Sequence, residues 1–328
     1  MKELIRAFAD HLSEALKIGE ATSLPTANHE IQNVIILGMG GSGIGGSIVS
    51  QILQDQLQVP VITNKDYVLP AFVNDHSLVI ANSYSGNTEE TLMALEGVFT
   101  TDATVVAICS GGKLADLAAA KGFGRFEIPG GMPPRAALGY SFPQFFFALH
   151  HYGLIADTFK QEFNLAISQL QTEQDEIMEE AQNIASTLHE KIPIIYSDQG
   201  YEGIGIRLRQ QINENAKMLC WHHALPEMNH NELVGWRTKS EDMAVVLFRN
   251  DDDHARTQVR MDLTKEIISA YCNHIVELSS KGNSKLERSL YLIHLGDWIS
   301  YFLAEKKQID AVEVNVISYL KGELAKVK

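Results

Sequence analysis

Three hydroxyl side chains, Ser83, Ser85 and Thr88, fall within six residues of the run Asn82–Thr91. The run stands between an apolar, strand-like stretch, Ser77–Ala81, and a helical pattern that begins at Leu92. A turn from strand to helix offers side-chain O–H donors, free backbone N–H groups and the positive end of the helix dipole, a combination that suits a phosphate. The turn contains no Lys or Arg, which fits a small substrate that must leave again. Plain helix capping, with Glu89 and Glu90 in the first turn, accounts for one of the hydroxyls but not for the cluster. A second turn, Gly38–Ser47, follows the buried-strand pattern Asn33–Leu37. Gly38, Gly40 and Gly43 satisfy the dinucleotide pattern G-x-G-x-x-G. A nicotinamide enzyme should also carry an acidic residue at the tip of the next strand, to hold the ribose. That tip is Thr63-Asn64-Lys65, and Asp66 comes late. A helix entered through Gly41-Ser42-Gly43 can instead hold a substrate directly, or the glycines can serve only close packing of helix on strand.

Together the two turns resemble the sugar isomerase (SIS) domain family, whose phosphate turn S-x-S-G-N-T is matched by Ser83-Tyr84-Ser85-Gly86-Asn87-Thr88. The glycine turn is similar to that of one branch, the bifunctional phosphoglucose/phosphomannose isomerases. Further segments resemble that branch in order along the chain: Pro133–Tyr140 its arginine segment, Asn213–Lys217 its catalytic glutamate segment, Glu227–Glu232 its histidine segment, and Val316–Lys321 its terminal lysine helix. The resemblance implies an aldose–ketose isomerase acting on glucose 6-phosphate, and on mannose 6-phosphate, to give fructose 6-phosphate. Such an enzyme opens the sugar ring and moves a proton between C1 and C2 through an enediol. Glu214 is then the base, His230 the ring-opening acid/base, Arg135 the stabiliser of the enediolate, and Lys321 a group that reaches back to the sugar oxygens. Gly41, Ser42, Ser83, Ser85 and Thr88 hold the phosphate. In the family the histidine comes from the partner subunit, so the resemblance also implies a homodimer with shared sites. The branch often carries proline and threonine just before its lysine helix; here that stretch is Asp310–Val314, with Val312 in the threonine's place. A sugar-phosphate sensor of the same fold would lack the base and would carry a fused basic DNA-binding segment, and neither is seen in the sequence.

The elements that must position these residues follow from pattern. Strand-like runs at Val34–Leu37, Pro60–Thr63, Leu78–Ala81, Thr104–Cys109 and Gly124–Ile128 alternate with helical patterns. Each is short, β-branched and nearly continuous, as in parallel strands covered on both faces. Pro134–Tyr152 reads as a helix that Pro143 must bend or interrupt. A long polar helix is expected from about Asp157 to Glu190. Strands then recur at Ile192–Tyr196, Met218–Trp221, Ala244–Phe248 and His274–Leu278. The alternation predicts an α/β protein of two doubly wound parallel-sheet, flavodoxin-like domains of SIS type, residues 1–153 and 154–328. Only the first carries the glycine and hydroxyl turns. Asp251–Asp253 reads as a turn and helix N-cap, and His222-His223 as structural.

At 328 residues the chain can bury a large core, and its 45% apolar content is ordinary for a globular protein. A net charge of −14 argues against nucleic acid or an anionic membrane as partner. Cys109, Cys220 and Cys272 are odd in number and widely spaced, which fits free thiols in a cytoplasmic protein. The N-terminal residues read as an amphipathic helix rather than a signal peptide. No His/Cys/Asp/Glu spacing has the form of a metal site, so neither metal nor cofactor is expected.

Overall fold

The computed structural model describes residues 1–327. Helices α1 (Lys2–Arg6) and α2 (Phe8–Ala21) precede a half in which strand and helix alternate. Its elements are β1 (Asn33–Leu37), α3 (Gly40–Ile52), β2 (Val61–Asn64), β3 (Ser77–Asn82), α4 (Glu89–Glu96), β4 (Thr104–Cys109), α5 (Gly112–Lys121), β5 (Gly124–Glu127) and α6 (Leu138–His151). The five strands are all parallel, in the order β2-β1-β3-β4-β5. Because side chains alternate along a strand, Val34, Ile36, Leu78, Ile80, Val106 and Ile108 join the apolar layer on one face. Ile35, Leu37, Val79, Ala81, Val105 and Ala107 meet residues of α4 and α5 on the other. Burial on both faces is why these strands read as continuous apolar runs. The strand order reverses between β1 and β3, and ligands of open α/β sheets bind at the carboxyl ends of strands at such a point. The glycine turn follows β1 and the hydroxyl turn follows β3, so both lie at that crevice.

The second half comprises α7 (Phe159–Thr172), α8 (Gln174–Leu188), β6 (Ile192–Asp198), α9 (Glu202–Ala216), β7 (Trp221–Leu225), β8 (Met243–Arg249), α10 (Ala255–Ser269), β9 (Ile275–Ser279), α11 (Lys285–Lys306) and α12 (Asn315–Leu324). Its sheet is again parallel, ordered β7-β6-β8-β9, the same winding with one strand fewer. One large apolar core runs between the two sheets and draws on residues from both halves, from Leu12 and Phe146 to Ile195 and Trp298. Across it α3 meets α9, and Gly203 marks the approach: a Cβ there would lie 3.3 Å from the Ile48 backbone. The Gly203 N–H donates to Gln51 Oε1 at 2.8 Å.

Several local expectations are corrected. The polar segment from 157 to 190 is two helices, not one, broken at Glu173, whose φ of −95° and ψ of 8° leave the α-helical region. Pro143 sits inside an uninterrupted α6, where every residue from Leu138 to Leu149 is buried and packing outweighs one lost backbone bond. β7 starts at Trp221 rather than at Met218, since Lys217 takes a left-handed conformation and Asn213 Nδ2 binds the Met218 carbonyl in the connection. His254, not the aspartates, caps α10, accepting from the Arg256 N–H at 3.2 Å. Among the described residues no helix is long and apolar enough to cross a membrane.

Candidate active site

The two turns of the first sheet lock onto one another. Ser42 Oγ accepts from the Tyr84 N–H at 3.2 Å, and Asn82 Nδ2 donates to the Ser42 carbonyl at 2.9 Å. Ser83 is buried, with its hydroxyl 2.8 Å from that of Thr88. Ser85 is exposed at the lip of the turn, where its Oγ accepts from the Asn87 N–H at 3.2 Å. Only glycine fits at 86: its φ is +67°, and a Cβ would fall 1.8 Å from the Gly111 carbonyl oxygen. At Gly43 a Cβ would fall 2.3 Å from the Gly38 carbonyl oxygen, so α3 begins hard against the end of β1. Lys65, just past β2, lies against Gly43 and donates to Ser47 Oγ at 3.2 Å; burial, with a smaller contribution from Arg209, lowers its pKa.

Gly41 is the link to the second half. A Cβ at this position would lie 3.2 Å from both Arg135 Cα and the Pro134 carbonyl oxygen, so the glycine turn rests on the arginine segment. Arg135 lies in a single 3-10 turn, Pro134–Ala136, and is 4% exposed. Its Nε donates to Asn215 Oδ1 at 2.7 Å, and Nη1 lies 3.4 Å from Glu214 Oε2. Its Nη2 donates to the carbonyls of Ala311 at 2.6 Å and Val312 at 3.0 Å. Burial lowers the Arg135 pKa from its ordinary value, and Glu214 is the largest opposing influence. Glu214 stays partly open, at 28% side-chain exposure, so its carboxylate can meet a ligand from solvent. A guanidinium and a carboxylate thus stand together beside the glycine turn.

Behind Arg135 lies a buried polar scaffold that the sequence reading passed over. Asn215 Nδ2 donates to Ser300 Oγ at 2.9 Å, and Ser300 Oγ to the Asp297 carbonyl at 2.7 Å. Arg207 Nη2 is 2.6 Å from Asp297 Oδ2 and also donates to the Arg135 carbonyl at 3.3 Å. Gln211 Nε2 donates to Asp297 Oδ1 at 2.7 Å. Burial raises the Asp297 pKa, with Arg207 and Gln211 pulling the other way. The signal was available: Arg207, Gln211 and Asn215 recur every four residues, a polar stripe on one face of a buried helix. Lys217 was also passed over. Its Nζ donates to the carbonyls of Glu214, Asp310 and Glu313 at 2.7–2.8 Å. Arg135 and Lys217 together pin the segment 310–313 to the end of α9.

Residues 177–324 match the family model of the bacterial phospho-glucose isomerase C-terminal SIS domain. A bifunctional phosphoglucose/phosphomannose isomerase of Caldicellulosiruptor bescii is 38% identical over 338 residues, covering 100% of both chains. One of the same description from Aquifex aeolicus is 37% identical, over 90% of this chain and 91% of its own. This chain belongs to the bifunctional phosphoglucose/phosphomannose isomerase family. The fold is shared more widely: the C-terminal domain of glucosamine-fructose-6-phosphate aminotransferase from Francisella tularensis superposes with a TM-score of 0.75 at 15% identity, covering 95% of this chain and 98% of that one.

Two of the residues expected at this isomerase-family site make no side-chain hydrogen bond or ion pair to it among the described residues. His230 ends a 3-10 turn, Glu227–His230, rather than starting a helix, and its side chain is exposed. α9 returns from the carboxyl end of β6 and leaves Glu214 at the amino edge of the second sheet, whereas His230 follows the carboxyl end of β7. The five residues of β7 between them span about 17 Å. The loop carrying His230 is held by Glu232, which accepts from Tyr196 Oη at 2.5 Å, Trp221 Nε1 at 3.0 Å and His223 Nδ1 at 2.8 Å. Lys321 lies on α12, none of whose residues is buried. Its Nζ has no hydrogen-bond or ion-pair partner among the described residues. The same helix exposes Val316, Tyr319 and Leu320.

Proposed function

We propose that this chain interconverts glucose 6-phosphate and mannose 6-phosphate with fructose 6-phosphate, as its relatives' names describe, through a cis-enediol formed by its own side chains. The observation that carries the reading is the contact of Arg135 with both Gly41 and Glu214, which brings a base and a fixed cation beside an anion-binding crevice. The phosphate sits at the turns of Gly41, Ser42, Ser83, Ser85 and Thr88, where backbone N–H groups and the start of α4 favour negative charge. Glu214 takes the proton from C2 of the aldose and returns it to C1. Arg135, held in one orientation by Asn215 and two carbonyls, opposes the charge that builds on the enediolate oxygens.

His230 opens the ring, and we assign it to the site of a second copy. The separation of Glu214 from His230 along β7 and the apolar surface left open on α12 both support a homodimer with shared sites. Lys321 would approach the sugar as α12 settles in that assembly. Residues 1–153 and 154–328 act as two units, one holding phosphate and the other lending acid and base, in a cytoplasmic enzyme. The test is a coupled assay on each hexose 6-phosphate with wild type and Glu214→Gln. Both substrates turn over in the wild type, and the variant loses about 10²–10⁴-fold in rate. A folded variant of undiminished rate would remove Glu214 from the base role.

A further inference from the structure

We propose that His29, Asp75 and His76 form a binding site for a borderline divalent transition metal of the Zn²⁺ class, remote from the sugar-phosphate crevice. No spacing in the sequence suggests it, because the site is assembled from two loops. His29 lies between α2 and β1, and Asp75-His76 closes the connection from β2 to β3. The fold brings one ligand atom from each of the three within 4.8 Å of one another.

The carboxylate of Asp75 faces both imidazoles, whose ring centroids are 5.3 Å apart, with Oδ2 3.7 Å from His29 Nε2 and Oδ1 4.0 Å from His76 Nε2. His76 Nδ1 lies 2.9 Å from the Glu30 carbonyl oxygen, which can only accept. That bond calls for a proton on Nδ1, so the neutral ring offers its Nε2 lone pair on the side of Asp75. A ligand imidazole whose other nitrogen donates to a carbonyl is the usual second layer of a metal site. The backbone of Asp75-His76 is set by a closed turn. The Ser77 N–H donates to the Asn74 carbonyl at 3.0 Å, Asn74 N–H to Ser77 Oγ at 3.0 Å, and His76 N–H to Asn74 Oδ1 at 2.9 Å.

Metal–ligand bonds of about 2.0–2.1 Å at tetrahedral angles put donor atoms roughly 3.3 Å apart. The three groups must therefore draw together by about an ångström, and side chains exposed by 35–44% are free to do so. Two imidazoles and one carboxylate suit Zn²⁺, Co²⁺ or Ni²⁺ rather than Mg²⁺ or Ca²⁺. A fourth position would remain for water. Asn33 of β1 pairs with Ser77 of β3, so these loops enter the sheet at its amino edge, a strand length from the glycine and hydroxyl turns. The ion would therefore tie the 22–32 connection to the sheet and take no part in isomerisation.

The same distances are met by a protonated histidine paired with Asp75, and metal titration separates the two. Untagged, chelator-treated protein is titrated with Zn²⁺ in competition with a chromophoric chelator, beside His76→Ala and Asp75→Asn. The expected result is a stoichiometry lower by one ion per chain in each variant, or an affinity weakened about tenfold or more. Co²⁺ should give a visible d–d band in the wild type that both variants lose, and excess Mg²⁺ should not displace Zn²⁺. Zn²⁺ should raise the thermal midpoint of the wild type more than that of His29→Ala, with hexose 6-phosphate turnover unchanged across the set. Equal Zn²⁺ uptake by wild type and variants, or no uptake by the wild type, overturns the proposal.

Discussion

Mixing two inactive variants tests whether His230 serves a neighbouring subunit. Glu214 sits at the end of α9 and His230 beyond the far end of β7, about 17 Å of strand away in the same chain. If the sites form between copies, each needs Glu214 from one chain and His230 from the other. Glu214→Gln and His230→Ala homodimers should each retain about 10⁻²–10⁻⁴ of the wild-type rate. After denaturation, equal mixing and refolding, random pairing makes about half of the dimers mixed, by the two-fold symmetry of a homodimer. In each mixed dimer one site carries both lesions and the other carries none. Activity should therefore return to about a quarter of wild type, a gain of roughly 25-fold or more over either parent. The readout is fructose 6-phosphate formation in a coupled assay, with chain exchange followed by native mass spectrometry. Full exchange without recovered activity would refute the shared site and require His230 to act within its own chain or not at all.

Ser85→Ala removes an exposed hydroxyl at the lip of the phosphate turn. The KM for hexose 6-phosphate should rise about tenfold, the equivalent of one charge-assisted hydrogen bond of roughly 1.5 kcal/mol, with little change in thermal midpoint; an unchanged KM argues against this placement of phosphate. Val312→Thr restores a hydroxyl beside the carbonyl that Arg135 grips. It should raise kcat/KM for mannose 6-phosphate relative to glucose 6-phosphate by about fivefold, one net hydrogen bond, and a constant ratio would show that position 312 does not face C2. Asp253 has its pKa raised from 3.8 to about 7, chiefly by burial and further by Asp198 and Asp252, against the hydrogen bonds from Asn250. In the native state it keeps a proton that the unfolded chain releases, so its contribution to stability falls as pH rises from about 4 to 7, by at most about 4 kcal/mol, and is flat above. Asp253→Asn should lose that slope in chemical denaturation measured across the interval; parallel profiles would contradict it.

The parts of this protein legible in sequence are those whose physics is local. Parallel strands buried on two faces must be short β-branched runs, so β1, β3, β4 and β8 could be placed within a residue or so. A turn suited to phosphate needs hydroxyls and glycines consecutive in the chain, so the expectation placed on Gly41, Ser42, Ser83, Ser85 and Thr88 comes from local spacing. Glu214 and Arg135 carry no such local mark, and the roles expected of them rest on resemblance to a family. Tertiary structure alone decided what lies between distant segments. The contact of Arg135 with Asn215 spans 80 residues, and its grip on the Ala311 carbonyl spans 176. The Arg207–Asp297 pair spans 90 residues, and no periodicity within one helix names its partner on another. The edge strand β7 was misplaced because only some of its side chains are buried, so its sequence Trp-His-His-Ala-Leu carries little of the apolar signal that marks a central strand. The cluster of His29, Asp75 and His76 is the plainest case. Two loops are brought together by the pairing of β1 with β3, and sequence distance says nothing about which loops a parallel sheet sets side by side.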